Sequence, residues 1–536
     1  NDFDGDGDID VFLAVAPSRV SEALTFPGED RLYLNQGDLT FVEAGAAFGV
    51  DDMCENRAPM FGDLDGDDDP DLFVTVNGRS IVYRNQDYAW YEDVTAESGE
   101  VGALGWGHQG FLLDYDQDGF VDIFFTNGPE DGSAYNRLLH NQGDGTYRDV
   151  SEASGIEGDP SGKGTCVLDA DNDGWMDIFV TTGREFSNHL FMNQQDGTFV
   201  DEAIGRGVFD PFQRFGVGAT CGDINNDGFA DIVLITHDRT WSGNQIFLNQ
   251  GDVAPGTFVD VAPGTAFARM VDPHGMALVD FDMDGWLDLI LSGIRLPAYV
   301  LRNDQKGGFE ELCGGAGIEH EDAITWAVAA GDMNGDAYPE VYIAHGLGTS
   351  PRDDEFYRNL GGDNHWITVS VRGAGANRSA LGARVEATAN GVTRTRWVGA
   401  WSSFDSQGPL AVSIGLGDAT EIERLRVTFP TGEVWEEESV EVDQRLEISE
   451  PDIRSDADAD GVPDEWDTCD ETPVGMRRDG QGCAPSQRDG GLPLALDAPM
   501  QDIVWVEPGT FTWTGRGDTP TVVQLSIDGS FGPAGR

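Results

Sequence analysis

The chain has 536 residues, 97 Asp plus Glu against 32 Lys plus Arg, and a formal net charge of −65. Such a charge repels phosphate, which excludes nucleic acid and an anionic membrane surface as partners. The 39% hydrophobic and 10% aromatic content excludes the disordered chain that extreme acidity otherwise describes. No apolar run reaches the ~18 residues that cross a membrane as a helix. The carboxylates therefore need an internal partner, and metal ions are the first candidates.

One nine-residue pattern, D-x-[DN]-x-D-G-x-x-[DE], recurs seven times. In chain order it is Asp2-Asp4-Asp6-Asp10, Asp63-Asp65-Asp67-Asp71, Asp114-Asp116-Asp118-Asp122 and Asp169-Asp171-Asp173-Asp177. Then come Asp223-Asn225-Asp227-Asp231, Asp280-Asp282-Asp284-Asp288 and Asp332-Asn334-Asp336-Glu340. First positions lie 61, 51, 55, 54, 57 and 52 residues apart, and the seven loops hold 29 of the 97 acids. Each leads into a short apolar run such as Val11–Val15, Ile123–Phe125, Ile178–Val180 or Ile232–Ile235. Those runs are β-branched or aromatic and too short for helices, which is the pattern of a strand buried on both faces. Alternating segments such as Arg31–Asn35 follow, then turns such as Gln142–Tyr147 and Gln195–Phe199. Asp-Gly between apolar residues marks a hairpin. Roughly 50–60 residues and four short strands per unit make one propeller blade. The expectation is an all-β fold opening with a seven-bladed β-propeller over residues 1–360.

The loop chemistry fits calcium, which takes 6–8 hard oxygens from alternating residues of a tight loop. Positions 1, 3, 5 and 9 are acidic or Asn, position 7 offers a carbonyl, and Gly at position 6 permits the turn. An EF-hand needs an acid at position 12; here that place holds Leu13, Phe125, Val180 or Leu234. Magnesium rarely accepts an all-protein cage. Asp68 and Ala337 replace the glycine in the second and seventh loops, where a strained or reshaped turn is expected. These loops resemble the FG-GAP (VCBS) repeats of integrin α-subunit propellers and many bacterial surface proteins. The resemblance implies an extracellular, calcium-loaded head for adhesion or recognition.

Residues 361–450 lack the loop motif and alternate, as in Trp366–Val371 and Leu425–Phe429, which reads as antiparallel β with one wet face. Asn364-His365-Trp366, Asn377–Val385, Gly415-Leu416-Gly417 and Phe429–Gly432 resemble the ASPIC/UnbV domain, with Phe429 where that family usually has Trp. The resemblance implies a β-sandwich-like module. Asn377-Arg378-Ser379 also fits a glycosylation sequon, but the family motif explains it better.

Residues 451–491 repeat the metal spacing at Asp456, Asp458, Asp460 and Asp464, followed by Asp467, Cys469 and Cys483. They resemble a thrombospondin type 3 repeat. The resemblance implies calcium bound by those aspartates, a Cys469–Cys483 disulfide, an oxidising compartment and a stiff spacer; Arg477 and Arg478 depart from the family and imply fewer ions. The remaining Cys54, Cys166, Cys221 and Cys313 are scattered and read as small buried apolar residues. Residues 492–536 read as a linker and the start of a fibronectin III or immunoglobulin-like domain, with a sulfatase-modifying-factor opening as the other resemblance. A chain that begins at Asn1 inside a motif and ends mid-domain reads as a mature or excised piece.

Other signals are weaker. Arg516-Gly517-Asp518 is a chance tripeptide in so Gly- and Asp-rich a chain, and Gly158–Gly164 is one residue short of a phosphate loop. Neither H-E-x-x-H nor G-x-S-x-G is present. Trp106, Trp175, Trp241, Trp286 and Trp326 read first as blade packing and second as sugar-stacking platforms. The functional expectation is a secreted or cell-surface calcium-binding recognition protein without catalysis, whose partner is a glycan or protein. A polysaccharide lyase would need basic and His or Tyr residues gathered on one face. A subunit of a filament or surface layer is the third reading.

Overall fold

The computed structural model describes residues 1–451, apart from 16–17, 22–23, 27–28, 52–55, 103, 129–134, 157–161, 184–185, 238–242, 294–295, 313–324, 346–353, 400–401 and 404–405, and also describes the backbone of 523–525. Cys54, Cys313, Trp241, the spacer aspartates, Cys469, Cys483 and Arg516–Asp518 lie outside the described residues, as does the side chain of Trp106. The protein is nearly all β, with 49% strand and 5% helix.

Each repeat forms one antiparallel sheet, ordered from an inner strand outward. The fourth is typical: Gly162–Leu168, Asp177–Thr182, His189–Asn193 and Phe199–Asp201. Its second strand is the apolar run after the metal loop and is buried along its whole length, because neighbouring sheets cover both of its faces. The first sheet has three strands, Val11–Leu13, Arg31–Asn35 and Phe41–Glu43. The second and third join where Leu104–Trp106 pairs with Asn77–Arg79. In the last, Val523–Leu525 runs parallel to Glu355–Asn359 at the outer edge. The hairpins end in the expected turns: Gln142 donates its amide to Thr146, and Gly143 and Gly145 take positive φ.

Successive inner strands pack side by side, and the last sheet meets the first where the Asn35 side chain donates to the Met333 carbonyl at 2.6 Å. Inner strands 162–168 and 216–222 approach so closely that a Cβ on Gly164 would lie 2.5 Å from Gly218 Cα. This brings Cys166 and Cys221, 55 residues apart with Cα atoms at 5.8 Å, into a disulfide. The expectation that these two were unpaired apolar residues is thereby corrected.

Residues 365–449 form two packed sheets. His365–Arg372 pairs antiparallel with Val412–Gly417 and parallel with Gln444–Ser449, so this sheet is mixed rather than purely antiparallel. The other sheet runs Val392–Trp397, Arg384–Ala389, Ile422–Thr428, Val434–Val440. Ile367, Val369, Val385, Ile414, Leu425 and Val427 fill the space between them and share one core with Met60, Leu64 and Leu112 of the repeat region. The second domain is thus packed onto the first through apolar contact.

Candidate metal loops and the opposite axial end

In six of the seven units the nine-residue loop joins the inner strand to the second strand. The first-position carboxylate folds the loop around itself. Asp63 Oδ1 accepts the amides of Gly66 and Asp67, and Oδ2 that of Asp68, at 2.6–3.2 Å; Asp169, Asp223 and Asp332 accept in the same manner. The sixth residue is left-handed throughout. Gly7, Gly119, Gly174, Gly228 and Gly285 have φ between 88° and 95°, and Asp68 and Ala337 hold 77° and 74°. The two substituted loops therefore keep the turn and carry its strain.

The ninth acid binds the loop to the sheet. Asp177 Oδ2 accepts the Ala170 amide and Oδ1 the Asn193 amide. Asp10, Asp71, Asp122, Asp231 and Asp288 accept the equivalent pairs. The asparagine at that place is a latch absent from the sequence expectation. Asn141, Asn193, Asn249, Asn303 and Asn359 each donate to a carbonyl at the second position of the preceding unit's loop: Leu64, Tyr115, Ala170, Ile224 and Phe281. Its signal was an Asn closing the strand that pairs with the apolar run in every repeat.

The geometry gathers carboxylate oxygens within 4.8 Å of one another in Asp2-Asp4-Asp6, Asp63-Asp65-Asp71, Asp114-Asp116-Asp118 and Asp169-Asp171-Asp177. Ninth-position acids are 0–3% exposed. Burial raises the carboxyls of Asp10, Asp122, Asp223 and Asp280 to about 7 and that of Glu340 to about 8. It pushes Asp63, Asp71, Asp177, Asp231 and Asp288 well above the usual range, with neighbouring carboxylates adding to the shift. The buried Oδ1 atoms of Asp114, Asp116, Asp171 and Asp280 have no hydrogen-bond partner among the described residues. Hard oxygens, clustered, buried and unsatisfied, fit a divalent cation.

Several cations at the loops were missed in the sequence. His140 lies 3.2 Å from Asp122, whose hydrogen bond raises it to about 9. Arg84 meets Asp65, Arg206 meets Asp171, and Arg302 spans Asp282 and Asp284. The second domain supplies more: Arg372 and Arg378 reach Asp68, and Arg445 reaches Asp332. The Gly415 amide donates to Asp280, and Gly417 to the Met283 carbonyl. From the same domain the hairpin Ser402–Ser403/Ser406–Gln407 lies against the inner strands of five sheets. The Gln407 amide clamps both backbone groups of Phe61, and Ser406 donates to Val328. The loop end of the ring is therefore covered.

The other end is built differently. All six described inner strands shift register near their start, and the same repeat position opens each bulge: Arg57, His108, Lys163, Val217, His274 and Trp326, joined in four of them by Ala58, Gln109, Gly164 or Gly275. Each lies six residues ahead of the first acid of its loop. His108 Nδ1 is 3.3 Å from Arg57 and Nε2 is 2.7 Å from Lys163 Nζ. The His274 ring packs edge-on against Trp326 at 4.5 Å, and His237 lies beyond it. Burial, with Lys163 and Arg57 beside it, drives His108 well below the ordinary range, and burial lowers His274 to about 3. Of the five tryptophans noted in the sequence, Trp175 and Trp286 are half-buried and Trp326 is exposed.

The FG-GAP-like repeat description matches residues 2–107, 114–180, 169–234, 223–291 and 280–343, and the ASPIC and UnbV description matches 373–455. The chain is 29% identical over 316 residues to cartilage acidic protein 1 of Homo sapiens, covering 57% of this chain and 46% of that protein. It is 27% identical over 254 residues to the Mus musculus protein, covering 44% and 38%. The matched region thus spans less than half the length of either relative. Among solved structures, an Agrocybe aegerita lectin that recognises non-reducing terminal N-acetylglucosamine aligns with TM-score 0.40 and 17% identity, over 59% of this chain and 82% of its own.

Proposed function

From a chain that belongs to the FG-GAP-like repeat family, we infer an extracellular calcium-binding recognition protein in which calcium is a structural ion and no catalysis occurs. The observation that carries this is the set of buried, mutually close carboxylates in consecutive loops. Positions 1, 3, 5 and 9 of each loop would hold the ion, with the seventh carbonyl completing the shell. The bound cation supplies the charge that keeps those carboxylates ionised. With a Kd on the order of 10⁻⁴ M and about millimolar calcium, one site stabilises by roughly 1.4 kcal/mol. Seven additive sites reach about 10 kcal/mol, the stability of a whole domain.

Two observations support an extracellular setting. One is the Cys166–Cys221 disulfide, since such bonds persist in oxidising compartments. The other is the likeness to a protein named for cartilage. In this reading residues 451–491 are a second calcium-binding element, a spacer bridged at Cys469–Cys483. Chelation tests the proposal: EDTA lowers the melting temperature by tens of degrees and calcium restores it. A melt insensitive to EDTA defeats it.

A second reading, a lyase acting on acidic polysaccharide, is favoured by one observation, the Arg57-His108-Lys163 cluster. Release of unsaturated oligosaccharide from such a polymer would establish it over the first.

A further inference from the structure

We propose that Arg445 of the second domain is the resident cation of the seventh loop, which it holds in place of calcium at the seam where the ring closes. The inference rests on the calcium reading of the loops and takes one loop out of it. It begins with where the side-chain cations stand. Arg84, Arg206 and Arg302 meet acids at the third or fifth position of their loops, and His140 meets those at the third, fifth and ninth. Among the described residues, Arg445 alone pairs with a first acid, Asp332. That is the carboxylate around which the loop folds. Its Oδ1 accepts the amides of Gly335 and Asp336, and its Oδ2 accepts the Ala337 amide and the Arg445 guanidinium.

The other ligand positions of this loop are engaged as well. Asn334 Oδ1 accepts the Asp336 amide at 2.9 Å, so its Nδ2 faces Glu340 Oε1, also at 2.9 Å. Calcium takes oxygen ligands, and here the third position turns a nitrogen toward the ninth. Glu340 Oε2 accepts the Met333 amide, and Asp336 Oδ1 accepts that of Tyr338. Buried oxygens of Asp114, Asp116, Asp171 and Asp280 are left over in the third, fourth and sixth loops. In the seventh none is, among the described residues. The loop also carries three acids where the second carries six, and calcium affinity follows ligand charge. The fifth loop has three acids too, but its Asn225 turns to Asp227, and Asp223 has no ion pair among the described residues.

Arg445 is placed by its own domain. It lies in Gln444–Ser449, which pairs in parallel with His365–Arg372, and its guanidinium stands 5.9 Å from the centre of the Trp366 ring, a cation–π contact. It also attracts Asp8 of the first loop. Next to Asp332, Met333 gives its carbonyl to Asn35 of the first sheet. The contact that closes the ring therefore hangs from a loop that a side chain neutralises. Chelation cannot remove a guanidinium, so this seam keeps its cation when calcium is scarce.

The test counts calcium on the full chain by native mass spectrometry, which resolves single bound ions. Arg445→Met carries one ion more than the wild type, and Arg445→Lys matches the wild type. Adding Asn334→Asp to Arg445→Met tightens the extra ion about tenfold. Lys306→Met, at an exposed lysine, is silent. Asp173→Asn, in the fourth loop, carries one ion fewer, which shows that the count reads single loops. In EDTA Arg445→Met melts at least about 2 °C below the wild type, and calcium closes that gap; lost packing alone would lower both melts equally. Equal counts in the wild type and Arg445→Met overturn the proposal, as does an equal drop in both melts. If Asp173→Asn still loses its ion, the calcium reading survives that result. A chain that binds no calcium in any form defeats the reading and this inference with it.

Discussion

The two ends of the inner strands obey opposite rules. At the loop end the same residue types recur: an acid that wraps its loop, a left-handed sixth residue, a buried ninth acid and an asparagine latch. At the other end one position holds Arg57, His108, Lys163, Val217, His274 and Trp326 in turn. Recurrence at fixed geometry marks what every sheet needs in order to stand in the ring. Divergence at fixed geometry marks what the ring does not need in common. Substitutions at the first end should therefore cost much stability, and those at the second little.

The largest expected effect sharpens the loop end. Folded carboxyls at about 7 or above bind protons that the unfolded chain, with carboxyls near 4, has released. Between those values the folded state holds more protons, so stability falls as pH rises. The metal-free protein should thus melt tens of degrees lower than the calcium form at pH 8 and recover part of the loss at pH 5. Calcium should flatten that slope, and melts at both pH values with and without EDTA check it. A metal-free protein most stable at pH 8 would contradict the buried-carboxylate account.

Next comes the latch. Asn249 donates to Ala170 and Ala230 and accepts from Gly251 and Gly256. Asn249→Ala leaves buried groups unsatisfied and should cost about 3 kcal/mol in urea unfolding. Smaller still is Gly174→Ala. Its Cβ would meet nothing within 4 Å, but φ is +90°, so the cost is backbone strain alone, about 1–2 kcal/mol. The smallest effect belongs to the far end. Lys163→Met should lower stability by no more than about 0.5 kcal/mol, because the position is half-buried and the other repeats hold Arg, His, Val and Trp there. A loss above about 2 kcal/mol would make Lys163 a structural residue and break the contrast.

Much of the loop end was legible, because Asp at alternate positions followed by an apolar run is a local pattern. The latch was equally periodic, yet an asparagine closing a strand reads as ordinary turn chemistry until its partner, some 78 residues back, is known. The Cys166–Cys221 bridge was hidden for a related reason. The separation of 55 residues is one repeat period, which matters only once adjacent repeats are known to lie side by side. Arg57, His108 and Lys163 stayed invisible because nothing local joins them. Three strands from different repeats, each bulged at the same level, bring them together. Arg372, Arg378 and Arg445 were equally out of reach, since a domain's docking direction is not written in its own alternation.

The hairpin at 402–407 bears on how the chain reaches this state. Gln407 holds Phe61 across 346 residues, and Asn35 holds Met333 across 298. Neither contact forms until almost the whole described chain has been made, so ring closure and axial filling are late, non-local events with a large loop-closure cost. Unfolding must undo the same contacts before any sheet is released. The architecture thus favours slow folding and slower unfolding, and persistence of the native state would then rest on a barrier as much as on equilibrium stability.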